Sequence, residues 1–558
     1  MKLVVAPIAG AVKAMHEKVI GDFQAVESLN QKPGRGDFRP WRQPLAVATV
    51  PAGRGTIYRM GRDVRSDSQY WLTWVGRVHV MRGYSGADTT ERTYFTGSGT
   101  PKWIDNTFAL SGAGPYPFAT RELGVPAPIS AMTAVSNADG TNADTESRYY
   151  TYTYVNTKGD ESAPAPVSLE LVCKIDDTVA LGAIASAPGG YNIDRVRVYV
   201  TVTGESGATE FFFLRELGTG SASTTDDLRL RGEVCETDGW LPPPADSQCL
   251  TPMWNGMAAL ISGNAVRVCA PHSIYAWPIG YEFLPPDAKP VGLGTWRQNL
   301  LVLTTGRPCV LLGTGPDSLD LQPVPGQACS SEPSIVSFSH GVPYACEDGL
   351  AYYGDSGPKL LTAGLLTRDD WQAMNPSTMV ASQYEGAYLC FYTDADDVRR
   401  GFLIDPANPQ GIFFLEQGYD AVWFDELQDA LFVLDGTEVK KWDADAAAMT
   451  ATYRSKNWVT PPTTFPWAKV TADAYPVTLQ IDAGPFTATE QTNMADLLAL
   501  FPGELAFVGD CLRATHTVAN GNAFRLHEGF DATEWQVQVE TSQPVQAVVL
   551  ANTVGETD

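Results

Sequence analysis

The chain has 558 residues, 44% of them hydrophobic, so it is long enough for two or three domains with real cores and is not a disordered polymer. Its net charge of −25 repels phosphate and argues against ordinary DNA recognition. Fifty-one glycines and 39 prolines, with 10% aromatics, favour short strands and many turns over helices.

The charge is unevenly placed. Residues 1–103 carry 15 Lys and Arg against 8 Asp and Glu, a balance of +7, which leaves −32 for residues 104–558. The two regions are therefore expected to face different partners. The nine cysteines are scattered and include no CxxC pair, so neither a disulfide framework nor a zinc site is expected. Cys346 and Cys390 alternate with apolar strand residues and read as small buried hydrophobes. No stretch approaches the ~20 apolar residues of a membrane span and no secretory leader is recognisable. Synthesis as a soluble protein in the cytoplasm is expected.

Residues 1–45 show little periodicity and read as an N-terminal arm. Arg35-Gly36-Asp37 spells a tripeptide too short to carry meaning. The basic-aromatic Arg39, Trp41 and Arg42 that follow have the residue types of interface hot spots and are the candidate partner contacts. Residues 46–127 give strands at Ala46–Val50, Ile57–Met60, Tyr70–Val75, Val78–Met81 and Thr93–Phe95, a first propeller part in which the tryptophans are expected to pack inward. Leu123-Gly124-Val125-Pro126-Ala127-Pro128 is a stiff linker. Beyond it, residues 128–244 carry the alternation Tyr150-Thr151-Tyr152-Thr153-Tyr154, a turn at Thr157-Lys158-Gly159-Asp160 and further short strands, the pattern of an inserted β-sandwich.

Residues 245–445 repeat one figure, an apolar triplet, a glycine turn and a second strand. The triplets begin at Ala259, Leu301, Tyr344, Tyr388 and Leu431, so successive steps are 42, 43, 44 and 43 residues. Regular steps of roughly 40–50 residues mark β-propeller blades. Thr367 through Asp370 forms a capping box before Trp371 and Met374, which predicts a short helix. Residues 446–558 add strands and a short helix near Met494–Leu500, and Val545–Leu550 is a candidate strand to pair with an early blade and close the ring.

Catalytic patterns are missing. The six histidines show no metal-ligand spacing, and neither a hydrolase elbow nor a phosphate loop occurs. Propeller glycosidases work with paired carboxylates, so acidic turns at Asp394, Asp396 and Asp397 and at Asp425 and Glu426 are noted, but spacing alone does not pair them. The expectation is a non-enzyme without cofactor or metal.

The segment Gly292-Leu293-Gly294-Thr295-Trp296-Arg297-Gln298-Asn299-Leu300-Leu301-Val302-Leu303, followed by the second hairpin and by Leu361–Leu366 leading into the capped helix, resembles the propeller of tail hub (nozzle) proteins of short-tailed bacteriophages. The likeness is best over residues 290–375. Residues 128–244 resemble the fibronectin type III-like modules inserted in phage structural proteins, an insertion that departs from the simplest hub proteins. The resemblance implies an all-β fold: a propeller with an inserted fibronectin type III-like sandwich and a C-terminal β-rich region. It also implies a ring of identical subunits, six in number, below the portal and the adaptor, carrying tail fibres or tailspikes, residing in the virion tail and passing viral DNA through its channel. Asp394, Asp396, Asp397, Asp425 and Glu426 are the candidate channel-lining residues, and the alternative function is a glycan-binding or glycan-degrading propeller tail protein.

Overall fold

The computed structural model describes residues 1–6, 9–34, 36–61, 66–203, 209–228 and 230–557, with the side chains of 202, 203 and 209 left out. Arg35 of the tripeptide lies outside the described residues. The chain is all-β, with propeller-type sheets, an inserted sandwich and a C-terminal β region, and it divides into two units. One holds the described residues of 1–57, 66–69 and 326–558, and the other those of 58–65 and 70–325.

In the second unit, two successive antiparallel sheets of four strands run Gln248–Pro252, Ala258–Ser262, Ala265–Val268, Glu282–Phe283 and then Pro290–Trp296, Asn299–Thr304, Cys309–Leu312, Asp320–Pro323. A third consists of His79–Arg82, Thr93–Thr96, Lys102–Ile104 and Arg121–Glu122. Each is a simple meander, because hairpin loops let consecutive strands pair as they emerge. Their inner residues share one apolar cluster that includes Met81, Trp103, Leu260, Val266, Leu300 and Leu311.

The insertion is a sandwich. Tyr150–Asn156 pairs with Ile193–Thr203, which pairs with Thr209–Gly218. Thr133–Ser136, Val179–Gly182 and Thr224–Asp226 form a second small sheet. Period-two alternation turns Tyr150, Tyr152 and Tyr154 into the core beside Val196, Val198 and Val200. The intervening Thr151 and Thr153 are buried too, and each hydroxyl is satisfied, by the Ala165 carbonyl at 2.8 Å and by Glu161 Oε1 at 2.6 Å.

In the first unit the meanders continue: Gly341–Ala345, Leu350–Gly354, Gly357–Leu360; then Val380–Tyr384, Ala387–Thr393, Arg399–Ile404, Phe413–Leu415; then Ala421–Asp425, Ala430–Asp435, Glu438–Lys441. In the sheets that contain Ala259, Leu301, Tyr388 and Leu431, these residues all fall on the second strand. Tyr344 does as well once residues 330–336 are counted, for they bond the next strand through Ser330 N–H to Ala345 O and Val336 N–H to Pro343 O. There the first strand is broken into a single turn at Glu332–Ser334, where Pro333 supplies no amide hydrogen. The turns obey glycine chemistry. Gly436 opens the two-residue loop between Asp435 and Glu438 at φ 60°, and Gly263 does the same between Ser262 and Ala265 at φ 58°.

Residues 1–45 are not an arm. Lys2–Val5 pairs with Val545–Ala551, and Ala25–Leu29 lies between Phe413–Leu415 on one side and Ala451–Ser455 on the other. Leu45–Thr49 begins no blade of its own; it is the outermost strand of the Ala421–Lys441 sheet, paired with Glu438–Lys441. Val545–Ala551 does not join a blade, because its other neighbour is Trp467–Ala472. These edges go where a donor row and an apolar face are both open. The C-terminal region thus forms two sheets over one core, in which Leu3, Val470 and Leu550 of one meet Tyr453, Leu479 and Val539 of the other.

Candidate functional site: a charged cleft beside the Phe413–Leu415 strand

Strand Ala25–Leu29 bridges a blade and the C-terminal sheet, and in doing so it builds a cleft of about 490 Å³. The strand contributes Val26, Glu27 and Leu29; the blade contributes Tyr392, Asp394, Arg400, Phe414 and Leu415; the capped helix Arg368–Ala373 and its flanks contribute Leu366, Asp370, Ala373 and Met374; and Arg454 comes from Ala451–Ser455. Lys13 completes it with Nζ 4.3 Å from the centroid of the Phe414 ring, a cation–π geometry. Among described residues the cleft combines three cations, three carboxylates and an aromatic-aliphatic lining.

Most of the charges are already engaged. Arg400 Nε donates to Asp394 Oδ2 at 2.8 Å, and the amides of Asp396 and Val398 donate to Asp394 Oδ1 at 3.0 and 2.9 Å. The hydrogen bond from Arg400 is the main reason that the Asp394 carboxyl is held below its ordinary range. Asp370 closes the helix cap, accepting from Thr367 Oγ1 at 2.6 Å and Thr367 N–H at 3.2 Å. Arg454 donates to Gln536 Oε1 at 2.7 Å and to Asp482 Oδ2 at 3.2 Å. A carboxyl kept ionised by an arginine accepts hydrogen bonds well and donates a proton poorly, so Asp394 is not suited to be the acid of an acid–base pair. The cleft sets charged side chains, most of them already paired, beside an apolar and aromatic lining.

The residues singled out in the sequence are not brought together. Trp41 is 1% exposed and packs on Trp442 and Tyr384, with ring centroids at 5.6 and 5.9 Å, so it is a core residue and not an interface one. Arg39 is half-buried and bound to Asp37 at 2.9 Å, while Arg42 is exposed and donates its backbone N–H to Asp443 at 2.9 Å. Asp425 is buried and accepts from the Leu427 amide at 3.0 Å, which removes it from any solvent-facing wall; Glu426 is exposed.

Asp396 and Asp397 are exposed at the turn joining Ala387–Thr393 to Arg399–Ile404. Glu426 sits at the turn joining Ala421–Asp425 to Ala430–Asp435. The first is the loop between second and third strands and the second the loop between first and second strands, so in these neighbouring meanders they lie at opposite strand ends. Asp420, at the start of its sheet, pairs with Arg399 and accepts from the Gly436 amide at 2.8 Å, which fixes that geometry. The two acidic turns therefore do not merge into one patch.

Lys13, Glu27 and Arg454 escaped the sequence reading because they are separated by up to 441 positions and carry no motif. The capping box at Thr367 and the acidic turn at Asp394 pointed to this neighbourhood, the latter as a channel lining.

No known sequence family matches the chain, and no curated protein does. Solved structures do resemble it in part. Virginiamycin B lyase from Staphylococcus aureus aligns over 66% of this chain and 98% of its own, at 9% identity and a TM-score of 0.29. The WD40 domain of Neurospora crassa Pan2 aligns over 73% and 97%, at 8% identity and 0.31. The WD40 domain of Toxoplasma gondii coronin aligns over 75% and 88%, at 10% identity and 0.25. At these scores the fold assignment rests on the sheets themselves.

Proposed function

We propose that the chain is a structural, ring-forming hub of a short-tailed bacteriophage tail, assembling in six copies beneath an adaptor, carrying tail fibres or tailspikes and conducting viral DNA without making or breaking a bond. The observation that carries this reading is the succession over residues 290–375: the Gly294-Thr295-Trp296-Arg297 strand, two hairpins one repeat apart, and a Thr-capped helix after paired leucines. The acidic balance of −32 over residues 104–558 supports it, since carboxylates keep a sliding polyphosphate hydrated and unattached. Electron microscopy of the purified chain tests it, with closed rings around an open channel as the expected image and single particles of one chain as the opposing one.

The charged cleft favours a second reading, a propeller that binds glycan, because Tyr392 and Phe414 lie with Glu27, Asp370 and Asp394 in one cavity. Aromatic faces and fixed acceptors suit sugar rings. Loss of glycan-array binding in Tyr392→Ala, against retention in Arg42→Glu, would support it; no binding by the unaltered protein would remove it.

A further inference from the structure

In the C-terminal region His516, on strand Cys511–Val518, stacks on His527, with ring centroids 5.2 Å apart and planes at 25°. Phe501 meets His527 edge-on at 4.4 Å, and Phe524 lies 5.5 Å from His516. Nε2 of His516 and Nδ1 of His527 are buried and have no hydrogen-bond partner. Phe501 and Glu504 follow helix Ala495–Leu500, and Glu504 Oε2 stands 3.4 Å from His527 Nε2. This ring cluster is thus a fastening between the helical segment and the C-terminal strands. We propose that the stacked His516–His527 pair is a proton-operated latch, which holds segment 495–504 down near neutral pH and releases it in mild acid.

The charges around the pair decide the direction. Among the described residues Glu504 is the carboxylate that faces it, and it is largely exposed and therefore well solvated. Arg525 and Glu528, which flank His527 in sequence, are occupied with one another at 2.6 Å. Across the sheet, His516 is registered with the apolar Leu479. A proton on His516 leaves a charged imidazole buried against the His527 ring with no acceptor for its Nε2–H, which the folded arrangement relieves only by opening. Burial, and then the neighbouring His527, lowers the proton affinity of His516 in the closed state. Because that folded value is depressed, the latch contributes fully above the ordinary histidine value of about 6.5 and weakens as pH falls through and below it. The helical segment yields and not the strands, since Ala495–Leu500 is a six-residue helix without a buried residue, whereas His516 lies within the continuous ladder that pairs Leu512–Val518 with Val477–Ala483.

Hydrogen exchange of the full chain at pH 7.5 and 5.5, corrected for the intrinsic pH dependence of exchange, tests the latch. Peptides covering 495–504 are expected to lose protection roughly tenfold or more at the lower pH, while those covering Val477–Gly484 hold theirs. His516→Phe keeps a stacking ring without a titrating nitrogen and should stay protected at both pH values. Unchanged protection of 495–504 in the unaltered protein would overturn the proposal, as would equal loss in a folded His516→Phe variant. If that variant does not fold, His527→Phe takes its place, and the unaltered protein alone still decides.

Discussion

Lys32 Nζ lies 2.7 Å from Asp443 Oδ2 and 2.8 Å from Glu385 Oε1, and it hovers 4.6 Å from the centroid of Trp41. One basic residue of the N-terminal segment is thereby fixed to two carboxylates from the acidic remainder of the same chain. Lys18 does likewise with Glu534 at 2.6 Å. The excess of positive charge in residues 1–103 is thus spent partly inside the molecule, where the sequence pointed to a separate partner. Lys32→Met is expected to cost roughly 1–3 kcal/mol, since it strands the largely buried Asp443 carboxylate and removes a cation–π contact, while the exposed Glu385 stays solvated. A denaturation midpoint equal to that of the unaltered protein would contradict it.

Trp41→Ala is expected to cost about 3–5 kcal/mol, in line with emptying a buried indole site. The exposed Arg42→Glu should leave thermal stability nearly unchanged. The pair separates a core role from an interface role at adjacent positions. Equal, small effects of both changes would return Trp41 to the surface.

Much of the fold was legible. The 42–44-residue steps found the same strand of each meander because hairpin loops and strand lengths are nearly constant, and the Tyr-Thr alternation at 150–154 displayed a sandwich core. The destinations of Ala25–Leu29 and Leu45–Thr49 were not legible. A five-residue strand states that it will pair, not with which edge, and both partners lie hundreds of residues away. Trp41 misled because the residue types that anchor interfaces are those that fill cores. Asp394 and Asp425 look alike in sequence, yet one accepts from an arginine at the rim of a cleft and the other turns its carboxylate into its own loop.

Arg92 fastens the inserted sandwich to the His79–Glu122 sheet within their unit. Its Nη1 donates to Asp160 Oδ1 at 2.9 Å, Nη2 to Oδ2, and its guanidinium lies 4.6 Å from the Trp103 centroid. Both side chains are nearly buried, so Asp160→Ala leaves an uncompensated cation and is expected to cost about 3–5 kcal/mol. Limited proteolysis should then cut the linker at 123–128 faster. An unchanged cleavage rate would show that the joint does not depend on this pair.

Asp394 has its proton affinity lowered chiefly by Arg400, so its contribution is present above the ordinary aspartate value of about 3.9 and is lost as pH falls through the folded value. Arg400 is 44% exposed, and after discounting for solvent screening Asp394→Asn is expected to cost about 1 kcal/mol at pH 7. The difference between variant and unaltered protein should shrink towards pH 3. A difference that grows with acidity would reverse the sign and refute the assignment.

For DNA conduction, the exposed Asp396, Asp397 and Glu426 are the positions to reverse, Asp425 being buried. Lysine at all three should leave assembly intact and slow genome release most at low salt, where the Debye length is longest. Normal release at low salt from intact particles would contradict an electrostatically non-adhesive channel.

The mass of the purified chain in solution, measured by light scattering across a concentration series, bears most directly on the proposed hub. Six copies of a 60.3-kDa chain give a closed particle of about 362 kDa, which is the result the account predicts. A mass that stays at that of one chain at every concentration would contradict it.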